Sequence, residues 1–293
     1  MSYLNGTSSM TPSTGPDGRG PRPQNVLALI SGTQNPTLGV ALTIPSTVIA
    51  QLIGQLGCDF VFIDMEHSPI SAELMTQMVH AIVASSRGAC FPIVRIPSQA
   101  VEWIKWALDS GAAGIVIPMV NNKSEMEQII DRALFSPRGS RSFGPSRAPW
   151  GLPDGPQGGV GAYFQRALKG QVGIFPMIES AEGVSNVEDI LTVEGVSGVF
   201  VGPIDLRLSL GLNGADGTEP AFKAALEKIC GVAKKWKKLV GTVAIGDEAT
   251  SRRTLEGMDF LVVSVDAGVM TTGLGNDLKR AKQVATTSRS PSL

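Results

Sequence analysis

Eight short apolar runs, each followed by a longer amphipathic segment, predict an α/β fold, a (β/α)8 TIM barrel. The runs are continuous, as expected of strands buried on both faces. No Gly-x-Gly-x-x-Gly follows the first run, so an open dinucleotide-binding sheet has no support. At 293 residues, 43% of them hydrophobic, the chain can bury one large core, and 34 Gly and 19 Pro supply its turns. The expected layout is one barrel domain over residues 25–285, flanked by disordered tails at 1–24 and 286–293 rich in Ser, Thr, Pro and Gly.

The elements follow in order. Residues 25–31 (NVLALIS) form a short lead-in helix. The first strand is 38–44 (LGVALTI), and its helix, 46–56, has Ser46 as N-cap. The second, 60–63 (FVFI), runs into Asp64, Glu66 and His67, and Ser71 caps a helix to residue 85. The third, 91–97 (FPIVRIP), carries Arg95 near its end and leads to a helix at 100–110. The fourth, 114–120 (GIVIPMV), precedes a helix at 124–134. The fifth is 174–178 (IFPMI); a short helix ends near Leu191, with Ser185 and Glu188 at capping-box spacing. The sixth, 196–202 (VSGVFVG), is followed by a helix at 220–235, and the seventh, 238–245, by one at 248–256. The eighth is 260–265, and a closing helix falls within 267–284, its glycines pointing to a start after Gly275. One segment breaks the rhythm: 135–170, a long Gly/Pro/Arg-rich insert after the fourth helix. It starts on the N-terminal side of the barrel, so it reaches a site on the opposite rim only by climbing past the barrel or by meeting a neighbouring subunit.

Charge is balanced, 25 basic against 26 acidic residues, which points away from nucleic acid as a partner. No apolar run reaches the roughly 18 residues of a membrane span, and the N-terminus lacks a signal-peptide pattern. The three cysteines, Cys58, Cys90 and Cys230, are odd in number and far apart, indicating neither a disulfide framework nor a zinc site. A reducing, cytoplasmic location is expected.

Catalytic residues of a barrel gather at the C-terminal ends of its strands. That rule brings Asp64, Glu66 and His67, Arg95, Glu179 and Asp205 to one rim from four places in the sequence. Each has an alternative. His67 is either a proton carrier or a structural histidine. Arg95 is either an anion site or half of an ion pair. Glu179 and Asp205 are helix caps, partners of Arg95, or a carboxylate pair suited to Mg2+ or Mn2+. His80, inside a helix, reads as packing or surface, and Asp109, near a helix end, as a surface residue.

The stretches DMEHSPI (64–70), PIVRIP (92–97), GAAGIVIPMV (111–120), SPRGSRSFG (136–144) and PMIESAEGVSNVEDILTVEGVSGVFVGPIDLRLSLGL (176–212) together resemble the HpcH/HpaI aldolase/citrate lyase family. The similarity runs from about residue 38 to 282. It implies a metal-dependent (class II) aldolase on a (β/α)8 barrel, with Mg2+ (or Mn2+ or Co2+) held by Glu179 and Asp205. It implies Arg95 as the group stabilising an enolate, His67 as the base, and Asp64 and Asp109 as supporting acids. The turn Gly202–Pro203–Ile204–Asp205 would offer N–H groups to a substrate carboxylate; Pro203 has none, leaving Ile204 and Asp205 as donors. One position departs: the family's pyruvate aldolases usually carry Gln two residues before the metal-binding Glu, and here Met177 stands there.

A fungal branch of the family, that of macrophomate synthase, is also similar. Arg95, Pro145 and Tyr163 fall where substrate contacts of that branch would lie, while Phe62 and Met119 stand where Trp and His are expected. The resemblance thus implies a carbon–carbon lyase acting on 2-oxo acids through a pyruvate enolate. The alternatives are an oxaloacetate decarboxylase that forms carbon–carbon bonds, and a catalytically inactive oligomeric barrel. The partners implied are a 2-oxo acid, an acceptor (aldehyde or pyrone) and further copies of the chain, as hexamer or trimer, with the last helix packing across subunits.

Overall fold

Eight parallel strands close into a barrel in sequence order: β1 (Thr37–Leu42), β2 (Phe60–Asp64), β3 (Phe91–Arg95), β4 (Gly114–Ile117), β5 (Gly173–Ile178), β6 (Gly198–Val201), β7 (Leu239–Val243) and β8 (Phe260–Val265). This computed structural model describes residues 23–212 and 217–287. Before the barrel comes α1 (Val26–Ser31). After the first four strands come α2 (Thr47–Gly54), α3 (Ala72–Ser85), α4 (Val101–Asp109) and α5 (Lys123–Ala133). The insert holds two 3-10 turns and α6 (Gly159–Leu168). β5 is followed by α7 (Ala181–Ser185) and α8 (Val187–Leu191), β6 by α9 (Pro203–Ser209) and α10 (Pro220–Lys235), β7 by α11 (Asp247–Leu255), and β8 by α12 (Asp266–Thr287).

Successive strand residues point to opposite faces, and this alternation builds two cores. Phe60, Phe62, Phe91, Ile93, Phe175, Met177, Phe200 and Phe260 turn inward and fill the barrel. Val61, Ile63, Val94, Ile115, Ile174, Val199 and Leu261 turn outward beneath the helices. The inner ring is crowded with Phe, so small residues must face it. A Cβ on Gly241 would meet the Phe260 ring at 2.2 Å. Val26 and Ile30 of α1 join the inner cluster.

Ser46 and Ser71 cap α2 and α3 as expected, accepting the N–H of Ile49 (3.3 Å) and Leu74 (3.2 Å). After β5 the cap is Ser180, whose Oγ accepts from Gly183 at 2.9 Å, so the helical turn starts earlier than the Ser185/Glu188 spacing implied.

Two segments differ more. The insert is not a structureless excursion. Phe135, Ala148, Leu152 and Tyr163 bury one another in a small core of their own. Arg141 rivets this core to the end of α4 by an ion pair with Asp109 and lies 4.4 Å over the Phe135 ring. The last helix begins at Asp266, not after Gly275. The Asp266 carboxylate accepts the N–H groups of Thr43 (3.0 Å), Ile44 (2.9 Å) and Ala267 (2.8 Å), tying the helix start to the end of β1. That anchoring outweighs the poor helix propensity of Gly268, Gly273 and Gly275. The helix continues to Thr287, two residues into the stretch assigned to the C-terminal tail; residues 1–22 and 288–293 of the two tails lie outside the described residues. No residue of α12 is buried. Among the described residues no helix is long and apolar enough to cross a membrane.

Candidate active site

The inward series on the strands ends in charge. On β2 it reads Phe60, Phe62, Asp64; on β3, Phe91, Ile93, Arg95; after β5, Phe175, Met177, Glu179. The period that fills the barrel with rings therefore places Asp64, Arg95 and Glu179 over its C-terminal mouth. Register completes the first pair. Asp64 stands directly opposite Arg95 across β2 and β3. Arg95 donates Nε to Asp64 Oδ1 (2.9 Å) and Nη2 to Oδ2 (2.7 Å), a bidentate pair. Its Nη1 reaches Glu66 Oε2 at 3.1 Å and Met177 Sδ at 3.8 Å, and its guanidinium lies 5.6 Å over the Phe62 ring.

Asp64 also shapes the loop that follows. Its Oδ1 accepts the N–H of Glu66 (3.1 Å) and of His67 (3.4 Å). This turn sets His67 outward, its side chain 64% exposed, with Nε2 3.7 Å from Glu66 Oε2. Glu66 thus links Arg95 to His67. Its place in the loop was legible, but its bridging role needs the fold.

Glu179 is 3% exposed, and its Oε1 accepts the N–H of Met119 at 2.8 Å. Met119 adopts a left-handed backbone, φ +52°, uncommon for a residue with a side chain. Gln99 Nε2 holds this turn by donating to the carbonyls of Met119 (2.8 Å) and Pro118 (3.2 Å). No pattern in the sequence marks Met119 as a donor. Burial, above all, pushes the Glu179 carboxyl up to about 6; the Met119 N–H opposes this, and the charges of Glu66 and Asp205 add to it. The Glu66 carboxyl is also raised, by burial first, against the pull of Arg95 and His67 and with repulsion from Asp64 and Asp205. Burial works against the Arg95 charge, but the Asp64 hydrogen bonds and the charges of Asp64, Glu66 and Glu179 outweigh it and hold its proton more tightly than usual.

Asp205 lies in the first turn of α9, half-buried and close enough to Glu66 and Glu179 to raise both. The helix starts at Pro203, so the N–H groups of Ile204 and Asp205 have no partner within it. Ile204 is exposed and Gly202 buried. Gly202 is where it is because of space: a Cβ there would lie 2.4 Å from Glu179 Oε2 and 2.7 Å from Met177 Cε.

Two expected site residues are not brought to this rim. Asp109 ends α4 on the outer, helical side of the barrel and pairs with Arg141. Tyr163 is 1% exposed within the insert core, its hydroxyl donating to Leu108 O at 2.7 Å and accepting from Arg141 Nη1 and Nη2 at 3.1 Å. Within this chain Tyr163 is thus placed in the insert core and not at the mouth. Pro145 belongs to the same insert.

A family model described as HpcH/HpaI aldolase/citrate lyase matches residues 42–272. This chain belongs to that family. Its members are aldolases and lyases, and this chain is accordingly a lyase-family enzyme on a TIM barrel. It is 34% identical over 237 residues to a hydroxypyruvate/pyruvate aldolase of Rhizorhabdus wittichii, covering 80% of this chain and 90% of the relative. It is 33% identical over 233 residues to a 5-keto-4-deoxy-D-glucarate aldolase of Escherichia coli, covering 79% and 87%. The crystal structure of macrophomate synthase superposes with a TM-score of 0.80 at 26% identity, over 92% of this chain and 93% of that one.

The residues present fit a hard divalent cation of the kind expected for the HpcH/HpaI aldolases. Glu179 keeps Oε2 unengaged by Met119, Asp205 is its near neighbour, and both offer oxygen only. Among the described residues no three His, Cys, Asp or Glu side chains converge at metal-ligand spacing. Two carboxylates with the rest of the shell left to water and substrate is the pattern Mg2+ favours.

Proposed function

We propose that this protein is a Mg2+-dependent carbon–carbon lyase that cleaves, or forms, hydroxy-2-oxo acids through a pyruvate enolate. The observation that carries it is the inward set at one rim: a guanidinium between two carboxylates, a second carboxylate pair in Glu179 and Asp205, and an exposed histidine beside them. Similarity to curated aldolases of 2-oxo acids supports the substrate class. Glu179 and Asp205 would hold the cation, which would supply Lewis-acid polarisation of the 2-oxo acid. Mn2+ or Co2+ would serve the same donor set.

The chain's own groups do the rest. Arg95 is oriented by Asp64, which takes Nε and Nη2; Nη1, beside Glu66, is the group assigned to the negative charge that develops on the substrate oxygen. The N–H groups of Ile204 and Asp205 suit the substrate carboxylate. His67 is exposed and within 3.7 Å of a carboxylate, which suits it to take the proton of the cleaved hydroxyl and to return one to carbon. An aldehyde is the acceptor in the synthetic direction.

A second activity has one specific support. Met177 places a thioether against Arg95, where related pyruvate aldolases usually carry an amide, and the fold matches macrophomate synthase closely. The same enolate would then arise by decarboxylation of oxaloacetate and be captured by an acceptor such as a pyrone. The deciding assay follows hydroxy-2-oxo acid cleavage and oxaloacetate decarboxylation side by side, with Mg2+ and with a chelator. Metal-dependent cleavage supports the aldolase; decarboxylation alone supports the second activity. Equal turnover with and without metal overturns the metal-dependent mechanism, and no turnover of either substrate favours an inactive oligomeric barrel.

The same proposal includes a homo-oligomer, hexamer or trimer. Met270, Leu274 and Leu278 recur at helical spacing on α12, 47%, 58% and 61% exposed, an apolar stripe that another copy would cover.

A further inference from the structure

Outside the mouth of the barrel, one pair of reactive side chains stands together. Cys58 and Cys90 are 32 positions apart, yet their Sγ atoms are 3.6 Å from each other. Cys58 leads into β2 and Cys90 immediately precedes β3. The ladder between the two strands extends to this point, since Phe91 N–H donates to Asp59 O at 3.0 Å. Phe60 pairs with Phe91, which puts Asp59 opposite Cys90 and Cys58 one residue away. Neighbouring strands about 4.8 Å apart, offset by one residue of about 3.3 Å, separate the two Cα atoms by roughly 5.8 Å, inside the range a disulfide spans. Both thiols belong to the outer core; Cys90 is buried and Cys58 half-buried.

We infer that Cys58 and Cys90 are a dithiol that a small-molecule disulfide closes into an intrachain bridge, stapling the starts of β2 and β3. Cys58, the more accessible thiol, attacks one sulfur of the reagent, forming a mixed disulfide and releasing one thiolate. Cys90 then attacks Cys58 Sγ, the protein disulfide forms, and the second reagent thiolate leaves. Two protons go to solvent or to the released thiolates. The dithiol loses two electrons and the reagent gains them. The ionisation order agrees: the Cys90 S–H hydrogen bond, more than any other cause, lowers the Cys58 thiol, and giving that bond raises Cys90. Cys230 stands alone, its thiol pushed up to about 11, chiefly by burial.

The test treats the full chain with oxidised glutathione, then denatures it and titrates thiols. The inference expects three thiols to fall to one, Cys230. It expects an intact mass lower by two hydrogen atoms, a 58–90 cross-linked peptide, and a Tm raised by on the order of 10 °C. Dithiothreitol should reverse all four. In Cys90→Ser the reaction should stop at a glutathione adduct on Cys58. Three remaining thiols, or a stable glutathione adduct on Cys58 of the unsubstituted protein, would overturn the inference. The wild-type mass decides it even if the variant does not fold.

Discussion

Glu179→Gln tests the carboxylate pair in isolation, because glutamine keeps the shape and an oxygen that can still accept the Met119 N–H. The wild-type carboxyl is raised from 4.5 to about 6 by burial and by Glu66 and Asp205. That difference corresponds to about 2 kcal/mol. The sign follows from proton binding. Between pH 4.5 and 6 the folded protein holds this proton while the unfolded chain has released it, so stability falls as pH rises through that window. Above it the metal-free wild type has lost the full amount; below it the effect vanishes. The substitution removes the charge. In chelator at pH 8 the variant should therefore be more stable by up to about 2 kcal/mol, a Tm higher by about 3–6 °C. Added Mg2+ should reverse the order. At 100 times its Kd a ligand stabilises by about 2.7 kcal/mol, and only the wild type should receive it. Thermal unfolding at pH 4.5 and pH 8, each in chelator and in Mg2+, reads all four states. A variant less stable than wild type in chelator at pH 8 would refute the electrostatic reasoning, and one that gains as much from Mg2+ would refute the ligand assignment.

Arg95→Ala should spare Mg2+ affinity in calorimetry while lowering kcat/KM at least about 100-fold, since its charge is assigned to the substrate oxygen. It should also cost about 3 kcal/mol in denaturant unfolding, because the buried Asp64 loses its partner. Gly202→Ala drives a Cβ into Glu179 Oε2 and Met177 Cε and should weaken Mg2+ binding at least tenfold by titration, while costing about 1–3 kcal/mol of stability in chelator. Tyr163→Phe leaves the buried carbonyl of Leu108 without that donor and should lower stability by about 1–3 kcal/mol, yet leave KM unchanged; a raised KM would return Tyr163 to the substrate site.

Much of the barrel could be read in advance because each strand is a dense apolar run with its own turn signals, and because Asp64, Arg95, Glu179 and Asp205 interrupt or terminate such runs. The continuity of those runs hid their alternation. Only the closed barrel separates Phe60 and Phe62, which face inward, from Val61 and Ile63, which do not. The Asp64–Arg95 pair depends on strand register, which neither segment encodes alone. Met119 acts through its backbone, in a conformation its side chain disfavours, so residue type carried no signal. Asp109 and Tyr163 were set by Arg141, a long-range partner inside a segment whose Gly and Pro content masks a folded core. The start of α12 was missed because local propensity argued against it, while Asp266 secures it through β1.

A final helix with none of its residues buried has a further consequence. Most of this barrel's wall is completed by segments that return to it within the same chain, at a cost independent of how many molecules are present. The further copies proposed above to cover the stripe on α12 would reach it only by encounter, so its contribution would enter through mass action. Dilution would then act on this enzyme as a mild denaturant. The melting temperature should rise with protein concentration, and activity lost on standing in dilute solution should return on concentrating.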